Sequence, residues 1–132
     1  MKITVDTNVL LRAVLADDEA QQLLAINALE GADMVAVSVQ TLCEYAWVLD
    51  RHYKAPRIEI AASIRQVLNM RNVVVNRPVV EAGLKMLEGG GDFADGVIAF
   101  DGRWLGGETF VSFDRKAVKL LKDQDLNARL LQ

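Results

Sequence analysis

The sequence predicts an α/β domain with a mostly parallel sheet. Short runs of β-prone residues alternate with longer stretches in which apolar residues recur at three- and four-residue spacing. Turn signals separate these segments, most clearly Lys54-Ala55-Pro56 and Gly89-Gly90-Gly91. Because no repeat, low-complexity tract or linker interrupts the alternation, residues 1–132 are predicted to form a single domain.

The predicted elements follow one another closely along the chain. The β-prone runs lie at residues 3–5, 34–37, 73–75 and 109–113, and a short fifth strand is expected at the sheet edge around residues 128–131. Helical periodicity covers residues 9–15, 19–29, 39–53, 58–70 and 78–88, and further helices begin near residues 92 and 114. Ligands of such sheets bind outside the carboxyl ends of the strands, so residues that follow strands are the first candidates for function.

The composition is typical of a globular protein and disfavours binding of nucleic acid through a basic face alone. The chain is 52% hydrophobic and 25% charged, as in ordinary globular proteins, and its net charge is −3. Proteins that bind nucleic acid chiefly through a basic face are usually more cationic, so a nucleic-acid enzyme would need metal ions to neutralise acids at its site. No targeting segment and no long apolar run is visible, which predicts a cytoplasmic protein without a membrane partner.

Histidine and cysteine chemistry is poorly supported. The chain has one cysteine, Cys43, and one histidine, His52, which are too few for a zinc site built on these ligands. His52 lies nine positions after Cys43 within one predicted helix, and no Gly-x-Ser-x-Gly segment supports a serine nucleophile. We interpret Cys43 as a packing residue.

Acidic residues are the strongest candidates. Asp6 follows the first strand, Glu44 lies two turns into the helix after the second, Asp95 begins the helix before the fourth, and Asp114 follows the fourth. Helix capping, a favourable helix dipole or a solvent-facing position explains each acid singly, and Asp92 can likewise cap its helix. At one edge of a sheet these carboxylates would repel one another unless a cation lay between them. Mg²⁺ and Mn²⁺ prefer such oxygen ligands.

Four segments, in the right order, carry a resemblance to a known family. They are Asp6-Thr7-Asn8-Val9-Leu10, Ser38 with Glu44 six residues later, Phe93-Ala94-Asp95-Gly96-Val97-Ile98-Ala99, and Ser112-Phe113-Asp114-Arg115-Lys116. The chain resembles the PIN domain from residue 3 to about residue 122, and within it most resembles the VapC-type ribonuclease toxins of toxin-antitoxin pairs. The resemblance implies a three-layer α/β/α sandwich whose central, mostly parallel sheet has four to five strands. It also implies a Mg²⁺- or Mn²⁺-dependent endoribonuclease that a cognate antitoxin inhibits.

The resemblance also assigns roles to residues. Asp6, Glu44, Asp95 and Asp114 match the family's acidic metal-site residues, which would bind one or two ions and carry the hydrolysis of RNA, and Asp92 is an auxiliary acid. Asn8 and Ser112 match polar positions that would orient carboxylates or waters.

Other positions have open interpretations. Arg115 and Lys116 could hold RNA phosphates or form a solvated basic pair. Gly96 replaces the alanine that commonly follows the third acid, which lowers helix propensity by about 1 kcal/mol and is expected to loosen the helix. A homodimer is expected, and Trp47 or Trp104 would suit its interface if exposed.

Three alternatives were weighed against the nuclease. A PIN-like scaffold could bind RNA or protein without cutting, although all four acids are present. A phosphoacceptor receiver would need an adjacent acidic pair after the first strand, where Asp6 is followed by Thr7. A phosphatase of the haloacid dehalogenase class would need Asp-x-Asp there, and Asn8 occupies the position of the second Asp.

Overall fold

A computed structural model describes residues 1–132 as seven helices and five short strands. It has two compact units, Met1–Asn76 and Arg77–Gln132. The strands form a three-stranded ladder in the order β1-β2-β3 and a two-stranded ladder of β4 and β5, where the sequence predicted one sheet of four or five strands. Strands of two or three residues have so few side chains that their periodicity does not specify their pairing partners.

The first unit is a parallel sheet with four helices. Its elements are β1 (Lys2–Thr4), α1 (Thr7–Val14), α2 (Glu19–Gly31), β2 (Met34–Ala36), α3 (Val39–Arg51), α4 (Arg57–Asn69) and β3 (Val73–Val74). Thr4 pairs with Ala36, and Ala36 with Val74, so all three strands end at one edge. Val35 of β2 is fully buried, as the apolar residues of a covered parallel sheet usually are.

The second unit contains the remaining five elements. They are α5 (Arg77–Glu88), α6 (Phe93–Trp104), β4 (Phe110–Ser112), α7 (Arg115–Asp123) and β5 (Ala128–Leu130). The two strands are parallel, with Phe110 opposite Ala128. Met86, Ala99 and Leu121 form the centre of the unit's apolar core, which brings α5, α6 and α7 together. The edge strand predicted near the carboxyl terminus is therefore present and pairs with β4.

Two glycines bring α5 and α6 unusually close. A Cβ on Gly96 would lie 2.3 Å from the Ala82 carbonyl oxygen and 2.9 Å from the Gly83 Cα. A Cβ on Gly83 would lie 2.6 Å from the Phe93 ring. The contacts of Gly96 with backbone atoms are too short for any side chain, so the helices can pack at this distance only without a Cβ at that position. Gly96 thus serves the packing of α6, where the sequence suggested a loosened helix.

Most predicted elements are present, with shifted ends. Helix α1 begins at Thr7, two residues earlier than predicted, because Asp6 caps it. Helix α2 extends through Gly31, two residues beyond the predicted end at residue 29. Ser38 caps α3, since its hydroxyl accepts the Thr41 amide at 3.2 Å. No helix of the structure is long and apolar enough to span a bilayer.

Candidate metal centre

Asp6 lies at the strand-end edge of the first unit. It follows β1 by two residues, is exposed, and accepts the Val9 amide at 3.1 Å through its carboxylate. This bond satisfies one of the free amide groups at the start of α1. One oxygen of Asp6 therefore fixes the helix, while the carboxylate stays accessible to solvent.

Helix α3 starts beside α1 in the same unit. Thr7 is only 7% exposed, and its hydroxyl lies 3.5 Å from the Thr41 carbonyl oxygen in the first turn of α3. Glu44 follows in the second turn and is exposed. The sequence offered one hint that Thr7 would be buried against α3: it is a polar residue at the very start of an otherwise apolar helix face.

Asp92, Asp95 and Asp114 form an acidic cluster in the second unit. One carboxylate oxygen from each lies within 4.8 Å of the others. Asp92 is the N-cap residue of α6, and Asp95 lies in the first turn of that helix. Asp114 is the N-cap residue of α7, and its carboxylate accepts the Ala117 amide at 3.0 Å. Two helix N-termini therefore gather three predicted site residues, and their partial positive charge offsets some of the repulsion.

The environment of Asp95 opposes the negative charge of its carboxylate. Asp95 is half-buried, and its pKa is raised first by desolvation and then by the negative charges of Asp92 and Asp114. A cation between the three carboxylates would remove the cause of the repulsion. Carboxylate oxygens in a partly open site are the ligands that Mg²⁺ and Mn²⁺ prefer, so the residues present fit such an ion.

Ser112 holds the backbone of Asp114. Its hydroxyl oxygen accepts the Asp114 amide at 2.9 Å, at the point where β4 ends and α7 begins. The side chain thereby fixes the turn that carries the Asp114 carboxylate. Asn8 is exposed in the first turn of α1, and its predicted role in orienting carboxylates or waters stays a prediction.

Ser112→Ala should weaken binding of a divalent metal ion by about 10-fold, as loss of a residue that orients a ligand typically does. The cost in folding free energy should be about 1 kcal/mol or less, because water can replace the hydroxyl at this exposed amide. Titration of Mn²⁺ and thermal unfolding measure the two effects. Ser112→Thr keeps the hydroxyl and should behave like wild type, whereas an equal defect in both variants would contradict the role of the hydrogen bond.

Two basic residues follow the cluster directly. Arg115 is exposed, and its guanidinium lies 3.4 Å from the Gln132 side-chain oxygen. The Lys116 ammonium lies 3.6 Å from where a Cβ of Gly90 would be, so its side chain runs along the glycine turn that leads to Asp92. Both positive charges are thus in the same unit as the acids, and their contact with RNA stays a prediction.

The tryptophans predicted as interface candidates are both exposed. Trp47 lies on α3 and Trp104 ends α6. Tyr45, in contrast, is fully buried and shares a hydrogen bond with the Ser63 hydroxyl. The exposed positions suit contact with another molecule, and the homodimer stays a prediction.

These observations define an α/β protein with short parallel strands and a cluster of carboxylates fitted to a hard divalent cation. The PIN domain model matches residues 3–122, most of the chain, and the chain therefore belongs to the PIN domain family. PIN domains are generally nucleases and typically use divalent metal ions. A comparison with curated proteins gave no match.

Proposed function

We propose that this protein is a Mg²⁺- or Mn²⁺-dependent endoribonuclease that hydrolyses RNA phosphodiester bonds. The observation that carries the proposal is the cluster of Asp92, Asp95 and Asp114 in a chain of the PIN family. Three carboxylates with no histidine or cysteine match the oxygen-only chemistry of metal-assisted phosphoryl transfer.

The proposed ligand set is the one that the resemblance to the family gives. Asp95 and Asp114 hold the ion with Asp92 as an auxiliary ligand, and Asp6 and Glu44 complete the set. Support comes from the family match, which runs through both units, and from the position of Asp6 directly after a strand of a parallel ladder.

The residues of the chain divide the work. The carboxylates hold the metal ion and balance its positive charge, while Asn8 and Ser112 orient the carboxylates or bound waters. Arg115 and Lys116 bind phosphates of the RNA that flank the reacting one. When bound, Mg²⁺ or Mn²⁺ lowers the pKa of water and offsets charge on the phosphate, so the protein needs no separate general base.

We further propose that the enzyme is the VapC-type toxin of a type II toxin-antitoxin pair. It would act on cytoplasmic RNA, form a homodimer, and be inhibited by a cognate antitoxin protein. The exposed side chains of Trp47 and Trp104 support contacts with protein partners, because large aromatic residues are enriched at such interfaces.

A catalytically silent RNA- or protein-binding module is the second candidate. The capping bonds of Asp6 and Asp114 favour it, since helix capping alone gives both acids a structural role. The two candidates differ in their response to metal: only the nuclease cuts RNA.

The deciding experiment is incubation of mixed RNA with purified protein in Mg²⁺ or Mn²⁺, with and without EDTA. Cleavage that requires the metal and stops on chelation is the expected result. Absence of cleavage in both metals, with RNA or a protein partner still bound, would replace the nuclease by the binding module.

Asp6→Asn tests whether the first unit contributes to the site. Asparagine caps helices as well as aspartate does, so the variant should fold normally and lose at least about 100-fold in cleavage rate. Asp18→Asn is a matched control, because Asp18 caps α2 by accepting the Gln21 amide at 3.0 Å. Equal activity of the two variants would remove Asp6 from the proposed ligand set.

A further inference from the structure

Phe113 is a large, solvent-exposed apolar side chain that directly precedes Asp114 of the acidic cluster in the sequence. It is 78% exposed and lies between Ser112 and Asp114, which are joined by the hydroxyl-to-amide hydrogen bond described above. The sequence placed it in a strand, where an aromatic residue normally packs into the core. Its backbone is held by the hydrogen-bonded turn around it, and its ring is left facing solvent.

The surroundings of Phe113 favour one kind of occupant. Asp114, Arg115 and Lys116 follow it and are all exposed, so the ring lies within a strongly charged and solvated segment. An apolar protein surface would have to desolvate these charges to cover the ring. A nucleotide can cover the ring and also interact with the neighbouring charges. Its base offers a flat π-face, and its phosphate is attracted to cations.

We propose that Phe113 stacks on a base of single-stranded RNA next to the phosphate that is cut, an inference that rests on the proposed nuclease function. Because the ring directly precedes Asp114, a base stacked on it holds the adjoining phosphate at the acidic cluster. Lys116, whose ammonium lies near Gly90, two residues before Asp92 in the sequence, binds the RNA backbone. Phe113 thus contacts the substrate and can stack on any of the bases, and it favours unpaired RNA over duplex.

Phe113→Ala should raise the KM for cleavage of single-stranded RNA by about 5- to 150-fold and leave kcat within about twofold. That range corresponds to the loss of one base–aromatic stacking contact present in both ground and transition states. Phe113→Tyr and Phe113→Trp keep a stacking face and should restore KM. Leu105→Ala is the control, since Leu105 is 86% exposed and lies at the far end of α6, roughly 15 Å along the helix from Asp95.

A fluorescence measurement tests stacking without cleavage. A short single-stranded RNA in which 2-aminopurine replaces adenine is bound to Asp95→Asn protein, with or without Phe113→Ala. The expected result is that Asp95→Asn protein quenches the 2-aminopurine fluorescence and that the variant which also carries Phe113→Ala does not. This result supports stacking even if the wild type cuts no RNA. Quenching, combined with a wild type that cuts no RNA, would reject the nuclease and keep only the stacking of Phe113 on a base.

Two outcomes would overturn the inference. If wild type cuts RNA and Phe113→Ala matches Leu105→Ala in KM and quenching, the nuclease stands and Phe113 does not bind a base. If Phe113→Ala instead changes only the oligomeric state of the protein, the ring belongs to a protein interface. Melting temperatures of all variants should agree within a few degrees, because substitutions at exposed positions rarely change stability by more than about 0.5 kcal/mol.

Discussion

Asp95→Asn should nearly abolish RNA cleavage while making the metal-free protein more stable at neutral pH. Loss of a metal ligand removes several kcal/mol of transition-state stabilisation, on the order of 1000-fold in rate. Stability should change in the opposite direction, because the substitution removes a carboxylate whose charge is opposed by burial and by Asp92 and Asp114. The gain should be about 1 kcal/mol or less, since water screens a half-exposed group.

The pH dependence of unfolding gives the sign of this effect. In the folded protein the pKa of Asp95 is raised above its ordinary value of 3.8, so the folded state binds this proton more tightly than the unfolded chain. Ionised Asp95 therefore lowers the free energy of unfolding above its folded pKa. The advantage of Asp95→Asn should shrink as pH falls through that pKa and disappear below 3.8, the unfolded value.

Bound metal should reverse the order of stability of the wild type and Asp95→Asn. At a metal concentration 100 times Kd, the wild type gains about 2.7 kcal/mol in the free energy of unfolding, and the variant gains less. Thermal unfolding with EDTA and then with Mn²⁺ measures both conditions. Asp101→Asn, an exposed acid later in α6, is the matched control and should show neither effect. A variant less stable than wild type in EDTA would mean that Asp95 has a structural partner.

Gly96→Ala should destabilise the protein by about 1–3 kcal/mol, although alanine is the better helix former. The new Cβ would overlap the Ala82 carbonyl oxygen at 2.3 Å, and overpacking against backbone cannot be relieved by a rotamer change. This cost exceeds the propensity gain of about 1 kcal/mol. Helix α6 would have to move away from α5, and Asp95, the preceding residue, would move with it.

Gly102→Ala separates packing from propensity. Gly102 lies in the same helix, and a Cβ there would meet no atom within 4 Å. This variant should gain about 0.5–1 kcal/mol. Denaturant unfolding of both variants, with cleavage assays beside it, measures the contrast. If Gly96→Ala were also stabilised, the two helices would be less closely packed than the structure indicates.

Local signals in the sequence were sufficient for most of the fold. Acids before apolar helical stretches predicted the N-caps at Asp92 and Asp114, because capping depends on residues only three positions apart. Strand pairing depends instead on distant partners, and strands as short as Val73–Val74 have too little pattern to specify them. The division into ladders of three and two strands was therefore beyond the sequence.

The candidate site was predictable to a similar extent. The positions of Asp92, Asp95 and Asp114 at helix starts could be read from spacing, and the structure brings these three carboxylates together. The contact of Gly96 with α5 could not, because a glycine in a helix looks like a weakness until the neighbouring backbone is known. The exposure of Phe113 was equally hidden, since burial depends on what covers a residue and not on its type.

The capping bonds of Asp6 and Asp114 have an evolutionary consequence. A helix start accepts Asn as readily as Asp, whereas an ion held by carboxylates requires the charge. One substitution, reachable by a single base change in the codon, can therefore end the chemistry and leave the architecture intact. Descendants of such a chain would retain the fold and its surfaces and remain free to acquire a role in binding alone. The ease of this step follows from the proposed double use of one side chain, to start a helix and to hold a metal.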